Sequence, residues 1–426
     1  MSTLKVNKIR DTSGSADAIT FDPNGGAVLA GVTTISTARI TTGITTSIQV
    51  GGGVTISESG IEASGIGITV ANINGTQIGG RRNRVQNGDI RITQRYGTDA
   101  HTPSNTSRNY VMDRWAYWSN QTSKASIQQV EDGPAGFKFS AKITSLAATS
   151  AGSGDWFALL TTIEAQDLYD LEQGTANAKD FTLSFYVKSS VTGTWAAAVR
   201  TRAGSPDRSY PFNYTINSAN TWERKTITIP GSTDGTWLTG TAEGICLWFD
   251  LGSGSAFHQT ANQWYGGNST GPSASPFIAV NAATFYLTGV QLEAGTQATA
   301  FEHRSFGEEL ALCQRYFLRL SPATSYAAYG VGGAYSDTQA VAQIHFPVPM
   351  RASPTFSYNG ALNTFYDVIG GFVNFSAMTV SQIMGSSIVG YTSAKVNVVG
   401  SGTGGNTFML ATFNNTDTYL NFDSEF

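Results

Sequence analysis

The chain has 426 residues, enough for about two to four domains. Only 13% of them are charged, against about 25% in an ordinary soluble domain, and the net charge is −4. Coating nucleic acid normally requires a large positive field, so we expect no nucleic-acid partner. The two cysteines are too few for a disulfide framework, and no Cys/His spacing is typical of zinc sites, so neither a metal nor a cofactor is predicted. No apolar run reaches about 18 residues, so no membrane insertion is expected.

Residues 1–30 hold short apolar stretches between turn signals. Leu4, Val6 and Ile9 come close to the alternation of a strand, and Phe21 precedes the turn residues 22–26. So few large apolar groups cannot form a core of their own. We interpret the segment as an anchor arm that needs a partner surface.

Residues 31–80 carry an irregular repeat of a glycine turn followed by a β-branched strand. Its units begin at Gly31, Gly43, Gly53 and Gly65, at steps of 12, 10 and 12 residues. Such strands have one thin apolar face, to which residues such as Ile44 and Ile56 contribute, and nothing within the segment to bury it against. We predict an intertwined shaft of three chains that share this face. A sheet formed within one chain is the alternative.

Residues 81–305 contain all eight tryptophans of the chain and several strand-like runs separated by turns. This pattern predicts a mainly β domain, a two-sheet sandwich of the jelly-roll type. An exception is the stretch 162–171, which is compatible with one or two helical turns. The predicted strands are 181–187, 194–199, 224–229, 244–249 and 284–290.

Residues 306–320 show the spacing of a helix, which would link the sandwich to the last part of the chain. One face consists of Phe306, Leu310, Cys313 and Phe317. Ser305 is in place to cap the first turn. Residues 321–426 return to β patterning with no tryptophan, and we predict a smaller C-terminal sandwich there that forms a distal tip.

The aromatic residues are the best indication of a ligand. Sugars bind aromatic faces through their C–H surfaces, with polar neighbours for the hydroxyl groups. The alternative for any one tryptophan is core packing, although the Gly- and Asn-rich flanks of Trp264 suggest a loop tip. The candidate glycan contacts are Asp113, Trp115, Tyr117, Trp118, Trp264 and Tyr265.

A polysaccharide-cleaving enzyme is the main rival to a binding protein. Glycosidases need two carboxylates about 5–10 Å apart. The acidic residues closest in sequence are Asp155, Glu164, Asp167, Asp170 and Glu172. With few apolar neighbours to raise a pKa, we interpret them as a solvated surface and predict no catalytic residue.

Five arginines form a basic cluster at the junction between the predicted shaft and the predicted sandwich. Arg81 and Arg82 begin it, and Arg84, Arg91 and Arg95 follow. Arginine suits interfaces between chains and the binding of carboxylates. Docking of an acidic partner is one interpretation, with Arg81 and Arg82 as contacts, and hydrogen bonding that fastens the junction is the other.

Four stretches together make the chain resemble tail-fibre proteins of bacteriophages, especially those of cyanophages and related marine phages. The opening, residues 4–10 with 21–26, is similar to the N-terminal anchor of such fibres. Residues 87–95 with 113–115 resemble the start of the carbohydrate-binding-like sandwich of these fibres, and residues 288–295 resemble its end. Residues 308–317 are similar to the helix that follows it.

This resemblance covers about the first three quarters of the chain and implies a role. A homotrimeric virion protein is expected, made in the host cytoplasm and fixed by its N-terminus to the tail or baseplate. It would present β-domains for recognition of a host-surface glycan during attachment. Two other roles stay open, a polysaccharide-degrading tailspike and a connector fibre that binds no glycan.

Overall fold

The computed structural model describes most of the chain from residue 81 onwards and a set of strands before it. The described ranges are 8–10, 17–21, 27–29, 47–50, 54–57, 60–63, 72–73, 76–77, 81–201, 207–272, 276–359, 365–366, 377–386, 390–399, 407–412 and 416–426. The chain divides into two compact units, Met1–Val70 and Ala71–Phe426. No helix within these ranges is long and apolar enough to cross a membrane.

The first unit consists of short antiparallel strands. One three-stranded sheet holds β1 (Lys8–Arg10), β2 (Asp17–Phe21) and β3 (Ala27–Leu29). A second holds β4 (Ser47–Val50), β5 (Val54–Ser57) and β6 (Gly60–Ala63). The association of three chains into a shaft and the alternative, a sheet within one chain, both stay predictions.

The second unit begins with the two-residue strands β7 (Asn72–Ile73) and β8 (Thr76–Gln77) and continues as a large β-sandwich. The strands of the sandwich are β9 (Asn109–Met112), β10 (Trp115–Ser119), β11 (Ala125–Val130), β12 (Ser140–Ser145), β13 (Phe157–Glu164), β14 (Phe181–Ser189), β15 (Gly193–Arg200), β16 (Arg208–Ile216), β17 (Glu223–Ile229), β18 (Glu243–Asp250), β19 (Tyr265–Gly266) and β20 (Thr284–Ala294).

The sandwich pairs a seven-stranded sheet, in the order β19-β16-β15-β18-β13-β10-β9, with a five-stranded sheet, in the order β11-β12-β20-β14-β17. The chain crosses between the sheets from β13 to β14, back to β15, and again from β17 to β18, which is the jelly-roll manner of connection. All five strands predicted within 81–305 are confirmed as β14, β15, β17, β18 and β20. The predicted mainly β, jelly-roll-like class is therefore confirmed.

Helices are few and short among the described residues. The 3₁₀ helices are Ala165–Leu171, Ser255–Phe257 and Phe277–Ala279, and the first confirms the helical turns expected within 162–171. The α-helix α1 (Phe306–Gln314) begins after Ser305, whose hydroxyl accepts a hydrogen bond from the Glu308 amide at 3.2 Å, as predicted.

The predicted extent of this helix was wrong, and its predicted apolar face is buried only in part, at Cys313 and Phe317. The helix ends at Gln314, and Phe317–Leu320 forms a strand, β21, because residues near the C-terminus pair with it. Phe306 is 60% exposed, whereas Glu309 and Cys313 are buried. Glu309 is buried because it accepts a hydrogen bond from the Asn87 amide and pairs with Arg304.

The C-terminal part is a second, smaller sandwich, as predicted. Its strands are β21, β22 (Ala328–Ser336), β23 (Gln339–Met350), β24 (Thr355–Asn359), β25 (Phe365–Tyr366), β26 (Ala377–Ser386), β27 (Gly390–Val399), β28 (Thr407–Thr412) and β29 (Tyr419–Asp423). A six-stranded sheet, β25-β28-β22-β23-β27-β26, packs on the three-stranded sheet β21-β29-β24. The last strand is thus central, which fits the alternation of its sequence.

Strand alternation divides the large sandwich into an inner and an outer side. In β10, Trp115 and Tyr117 join the main core between the sheets, and Ala116 and Trp118 belong to a separate cluster on the opposite face. Side chains point to opposite faces at successive positions, so neighbours in sequence have different surroundings. The second cluster is the starting point for the candidate site.

An aromatic groove on the outer face of the sandwich

The outer face of the seven-stranded sheet carries small residues beside large aromatic ones. Ala158 lies opposite Trp118 in the ladder between β10 and β13, and Leu160 lies opposite Trp248 of β18. On the other side of β18, Ala198 lies opposite Trp248. Because an alanine leaves space where a larger side chain would fill it, the tryptophans stand beside a depression.

Four aromatic rings surround this depression, which we call the aromatic groove, with a volume of about 270 Å³. Trp118 contacts Trp156 edge to face at a ring distance of 5.8 Å, and Trp248 at 5.9 Å. Phe257 contacts Trp156 in the same manner at 6.2 Å. Edge-to-face packing fixes the planes of the rings, so the walls of the groove are held in place before any ligand arrives.

Two polar side chains complete the lining, Arg200 and Asn268. The guanidinium carbon of Arg200 lies 3.8 Å from the ring centre of Trp248, and its Nε donates to the Ser269 carbonyl at 3.0 Å. Asn268 donates from Nδ2 to Asp207 at 3.0 Å. Aromatic walls with a few positioned polar groups are the composition of small-molecule and sugar sites.

Two of the indole rings also retain unused hydrogen-bond donors. The Nε1 atoms of Trp156 and Trp248 are buried, and no described residue accepts a hydrogen bond from either. By contrast, Trp118 Nε1 donates to the Thr106 carbonyl at 3.0 Å. Trp118 is therefore fixed by a hydrogen bond as well as by its contacts with the neighbouring rings.

A buried carboxylate holds the segment that carries Phe257. Asp250, at the end of β18, accepts hydrogen bonds from the backbone amides of Gly252 at 2.9 Å and Ser253 at 2.8 Å. Burial raises the pKa of the Asp250 carboxyl, against the effect of these hydrogen bonds and of nearby Arg200. The turn after β18 is therefore fixed, and the short helix Ser255–Phe257 follows it.

Three of the predicted glycan contacts are core residues instead. Trp115 is 0% exposed, Tyr117 is 2% exposed and Asp113 is 1% exposed. The ring of Trp115 packs against Phe249 between the two sheets, and its indole nitrogen donates to the Asn87 carbonyl at 2.9 Å. With no surface accessible to a sugar, the prediction of ligand contact is corrected for these three residues. Trp118, in the same stretch, does line the aromatic groove.

Trp264 and Tyr265 lie away from the groove, at the edge strand β19. Trp264 is partly buried, packs against Tyr210 at 5.3 Å and Trp237 at 5.8 Å, and donates to the Pro230 carbonyl at 2.8 Å. It is therefore not at a loop tip as predicted. Tyr265 is partly buried, and its hydroxyl accepts a hydrogen bond from Gln263.

The stretch that resembles the start of the sandwich, residues 87–95 with 113–115, forms an internal connection rather than a binding surface. Arg114 is fully buried, pairs with Glu425 and donates to the Thr162 carbonyl. Arg95 donates to Asp423 at 3.0 Å and lies 3.6 Å from the ring centre of Phe317. We call Arg95, Arg114, Asp423 and Glu425 the clasp, because they fasten the C-terminal segment to the large sandwich.

The rest of the basic cluster is also engaged within the chain. Arg81 pairs with Glu308, and Arg82 donates to Thr299 at 3.1 Å. These contacts match the fastening interpretation, and docking of a partner by Arg81 and Arg82 stays a prediction. Among the predicted anchor and shaft contacts, Ile9 lies in β1, Phe21 in β2 and Ile56 in β5. Leu4, Val6 and Ile44 lie outside the described residues.

The acidic stretch is less solvated than its sequence suggested. Glu164 is 0% exposed and forms a two-pronged ion pair with Arg315 at 2.7 and 2.9 Å. Burial, with a smaller effect of Glu164, raises the pKa of the Asp167 carboxyl. Asp170 pairs with Arg84, and Glu172 with Lys179. Asp155 accepts a hydrogen bond from the Gly152 amide at 2.7 Å.

Most of the groove was missed at the level of sequence. Trp156, Trp248, Phe257, Arg200 and Asn268 come from four separate parts of the chain and meet only through sheet pairing. One signal for the groove was present in the predicted strand 244–249. There Trp248 lies between Leu247 and Phe249, so strand alternation predicts that Trp248 faces the opposite side of the sheet from these two residues. Alternation shows which residues share a face but does not indicate which face is covered.

No protein-family model and no curated protein matches the chain. Solved structures do match, each over about half of it. One is the enzymatically active domain of tailspike protein 4 of bacteriophage CBA120, at 15% identity and a TM-score of 0.27, covering 50% of this chain and 21% of that one. Another is the CBM22-1 xylan-binding domain of Paenibacillus barcinonensis Xyn10C, at 11% identity and a TM-score of 0.25, covering 48% and 99%.

A third match is the family 11 carbohydrate-binding module of a Clostridium thermocellum cellulase, at 13% identity and a TM-score of 0.24, covering 49% of this chain and 99% of that one. Likenesses of this size carry no functional argument. What the chain binds has to be argued from its own residues.

Proposed function

We propose that the chain is an attachment protein of a bacteriophage tail that binds a glycan of the host surface in the aromatic groove. The observation that carries this proposal is the convergence of Trp118, Trp156, Trp248 and Phe257 around one depression, with Arg200 beside them. Stacked C–H surfaces of a sugar would face the rings, and its hydroxyl groups would meet Arg200 and Asn268.

The surroundings of the groove favour binding over cleavage. Its lining holds an arginine, an asparagine and four aromatic rings, and none of its six lining residues is a carboxylic acid. Asp207 accepts the hydrogen bond from Asn268, and the buried Asp250 accepts from the backbone amides of Gly252 and Ser253. We therefore propose a binding protein without enzymatic activity.

The tail-fibre role rests on the sequence resemblance and on the thin apolar face predicted for the strands of residues 31–80. In this proposal the first unit anchors the chain to the tail or baseplate and associates with two further copies. Three sandwiches on one fibre would then bind a repetitive glycan far more tightly than one sandwich, because later contacts form at a high effective concentration. The native mass of the full chain tests the assembly: three copies of a 45.2 kDa chain are expected, and a stable monomer would contradict it.

Binding is tested with the full chain on an array of bacterial surface polysaccharides and plant β-glycans. We expect retention on a subset of the glycans and no release of reducing ends after prolonged incubation. Release of reducing ends would show a polysaccharide-degrading spike instead. Absence of retention on every glycan, together with failure to bind host cells, would show a connector fibre.

A further inference from the structure

A second groove with aromatic walls lies at the opposite end of the same strand. Trp156, in the aromatic groove, directly precedes β13, and Ala165, in the second groove, directly follows it. The second groove has a volume of about 280 Å³ and is lined by Tyr169, Trp237, Glu172 and Thr239 among others. Trp156 and Ala165 are nine positions apart, so the two grooves lie within about 30 Å of each other along the strand.

The two aromatic rings of the second groove are fixed by the protein and yet accessible. Tyr169 is 58% exposed, and its hydroxyl accepts a hydrogen bond from the Gly240 amide at 2.8 Å, which sets the direction of its ring. The exposed face of this oriented ring is available for stacking against the C–H surface of a sugar.

Trp237 is held from two sides. A Cβ atom at Gly174 would lie 2.6 Å from its Cδ1, so only glycine permits this close approach of the backbone, and Gly174 also adopts a φ of +80°. On the other side Trp264 packs edge to face at 5.8 Å. The ring is therefore pre-organised, which lowers the entropic cost of binding a ligand against it.

Polar groups of the right kind border these rings. Glu172 retains a side chain that is 40% exposed, although it pairs with Lys179 at 2.8 Å. The 3₁₀ helix Ala165–Leu171 ends at Glu172, which lies in the left-handed region with a φ of 52° and so turns the chain along the rim. Two fixed rings with carboxylate and hydroxyl groups at the edge match the chemistry of a sugar site.

We propose that this second groove binds a second stretch of the same glycan, so that each large sandwich holds a polysaccharide at two points. The inference rests on the proposed function of the aromatic groove. Two weak sites on one rigid domain bind a polymer more tightly than either site alone, because the second contact forms within the same complex. Short oligosaccharides gain nothing from this arrangement.

The test uses the full chain with its tryptophans replaced by 5-fluorotryptophan. Eight fluorine resonances are expected, one for each tryptophan, and they are assigned through single Trp→Phe substitutions. Xylohexaose, cellohexaose and β-1,4-galactohexaose serve as probes. With a probe that binds, we expect the resonances of Trp118, Trp156 and Trp248 to shift together, and that of Trp237 to shift in an independent titration.

The variant Tyr169→Ala should abolish the shift of Trp237 and leave the other three unchanged. It should also weaken binding of the corresponding polymer about tenfold. Tyr326→Ala is the matched control, since Tyr326 is 55% exposed in the C-terminal sandwich, and it should behave as wild type. If Trp118 responds while Trp237 does not, the second site is refuted and the proposed function stands. If the chain is retained on a glycan of the array and no tryptophan responds to a hexasaccharide of that glycan, the proposed function itself is contradicted.

Discussion

The two faces of the seven-stranded sheet use the same kinds of residue for opposite purposes. Trp115 and Trp118 are three positions apart in one strand, yet the first is sealed between the sheets and the second lines the aromatic groove. On the inner face the opposing sheet covers every ring. On the outer face small residues such as Ala158 and Ala198 leave the rings beside open space. An aromatic residue in such a sandwich therefore acquires its role from what lies opposite it.

The largest expected effect is on the inner face. Trp115→Ala should lower the free energy of unfolding by about 3–5 kcal/mol, because it leaves a cavity in the core and removes one of the two donors to the Asn87 carbonyl. Chemical denaturation followed by circular dichroism measures the loss. Trp115→Phe should cost less, since a ring still fills most of the space. A loss below about 1 kcal/mol for Trp115→Ala would contradict the inner-face assignment.

The next effect concerns the clasp. Arg114→Ala should lower the free energy of unfolding by about 3 kcal/mol, because it removes the nearer cation from the buried carboxylate of Glu425 and leaves only Arg95, at 3.7 Å, to pair with it. The same denaturation experiment applies. Replacement of both partners, Arg114→Met with Glu425→Leu, should restore part of the loss, since no charge then stays buried alone. A double variant less stable than Arg114→Ala would show that the pair is not the source of the effect.

A smaller effect is expected on the outer face. Phe257→Ala should weaken glycan binding by about 1 kcal/mol, or about fivefold, because it removes one wall of the aromatic groove. Calorimetric titration with the glycan selected on the array provides the affinity. Phe306→Ala is the control, since Phe306 is 60% exposed but lies outside this groove. Equal affinities of the two variants would remove Phe257 from the site.

The smallest effect depends on pH and lies at the start of β17. Partial burial acts to raise the pKa of the Glu223 carboxyl, but hydrogen bonds from Lys225 and from the amides of Ser218 and Asn217 lower its pKa to about 2. A depressed pKa stabilises the fold above the ordinary pKa of the carboxyl, and this contribution is lost as the pH falls towards 2. Glu223→Gln should therefore be less stable than wild type at pH 6, and the difference should shrink as the pH approaches 2. A difference independent of pH would show that ionisation plays no part.

The fold could be predicted from sequence further than the site could. Runs of β-branched and aromatic residues predict strands such as β14 and β18. A local motif, a serine followed three residues later by glutamate, predicts the helix cap at Ser305. The helix was predicted too long because Phe317–Leu320 has apolar residues compatible with both helix and strand. Pairing with β29, about a hundred residues later in the chain, decides between them.

The aromatic groove depends on non-local facts that no local pattern contains. Strand β13 pairs with β10 on one side and with β18 on the other, and this pairing places Trp118 and Trp248 on the same face of the sheet. The register of both pairings depends on the whole sheet. The local mixture of aromatic and polar residues at 113–118 misled for a related reason. Asp113 and Trp115 are adjacent to Trp118 in sequence, but they complete the core and the clasp region instead of the ligand site.

The most direct test of the outer-face site is a comparison of two tryptophans that lie on the outer faces of opposite sheets. Calorimetric titration of the selected glycan into the full chain is repeated with Trp118→Ala and with Trp222→Ala, whose ring contacts Tyr286 on the five-stranded sheet. The account predicts that Trp118→Ala loses about 2 kcal/mol of binding free energy, about thirtyfold in affinity, while Trp222→Ala binds as wild type. Unchanged affinity of Trp118→Ala, or an equal loss in both variants, would contradict it.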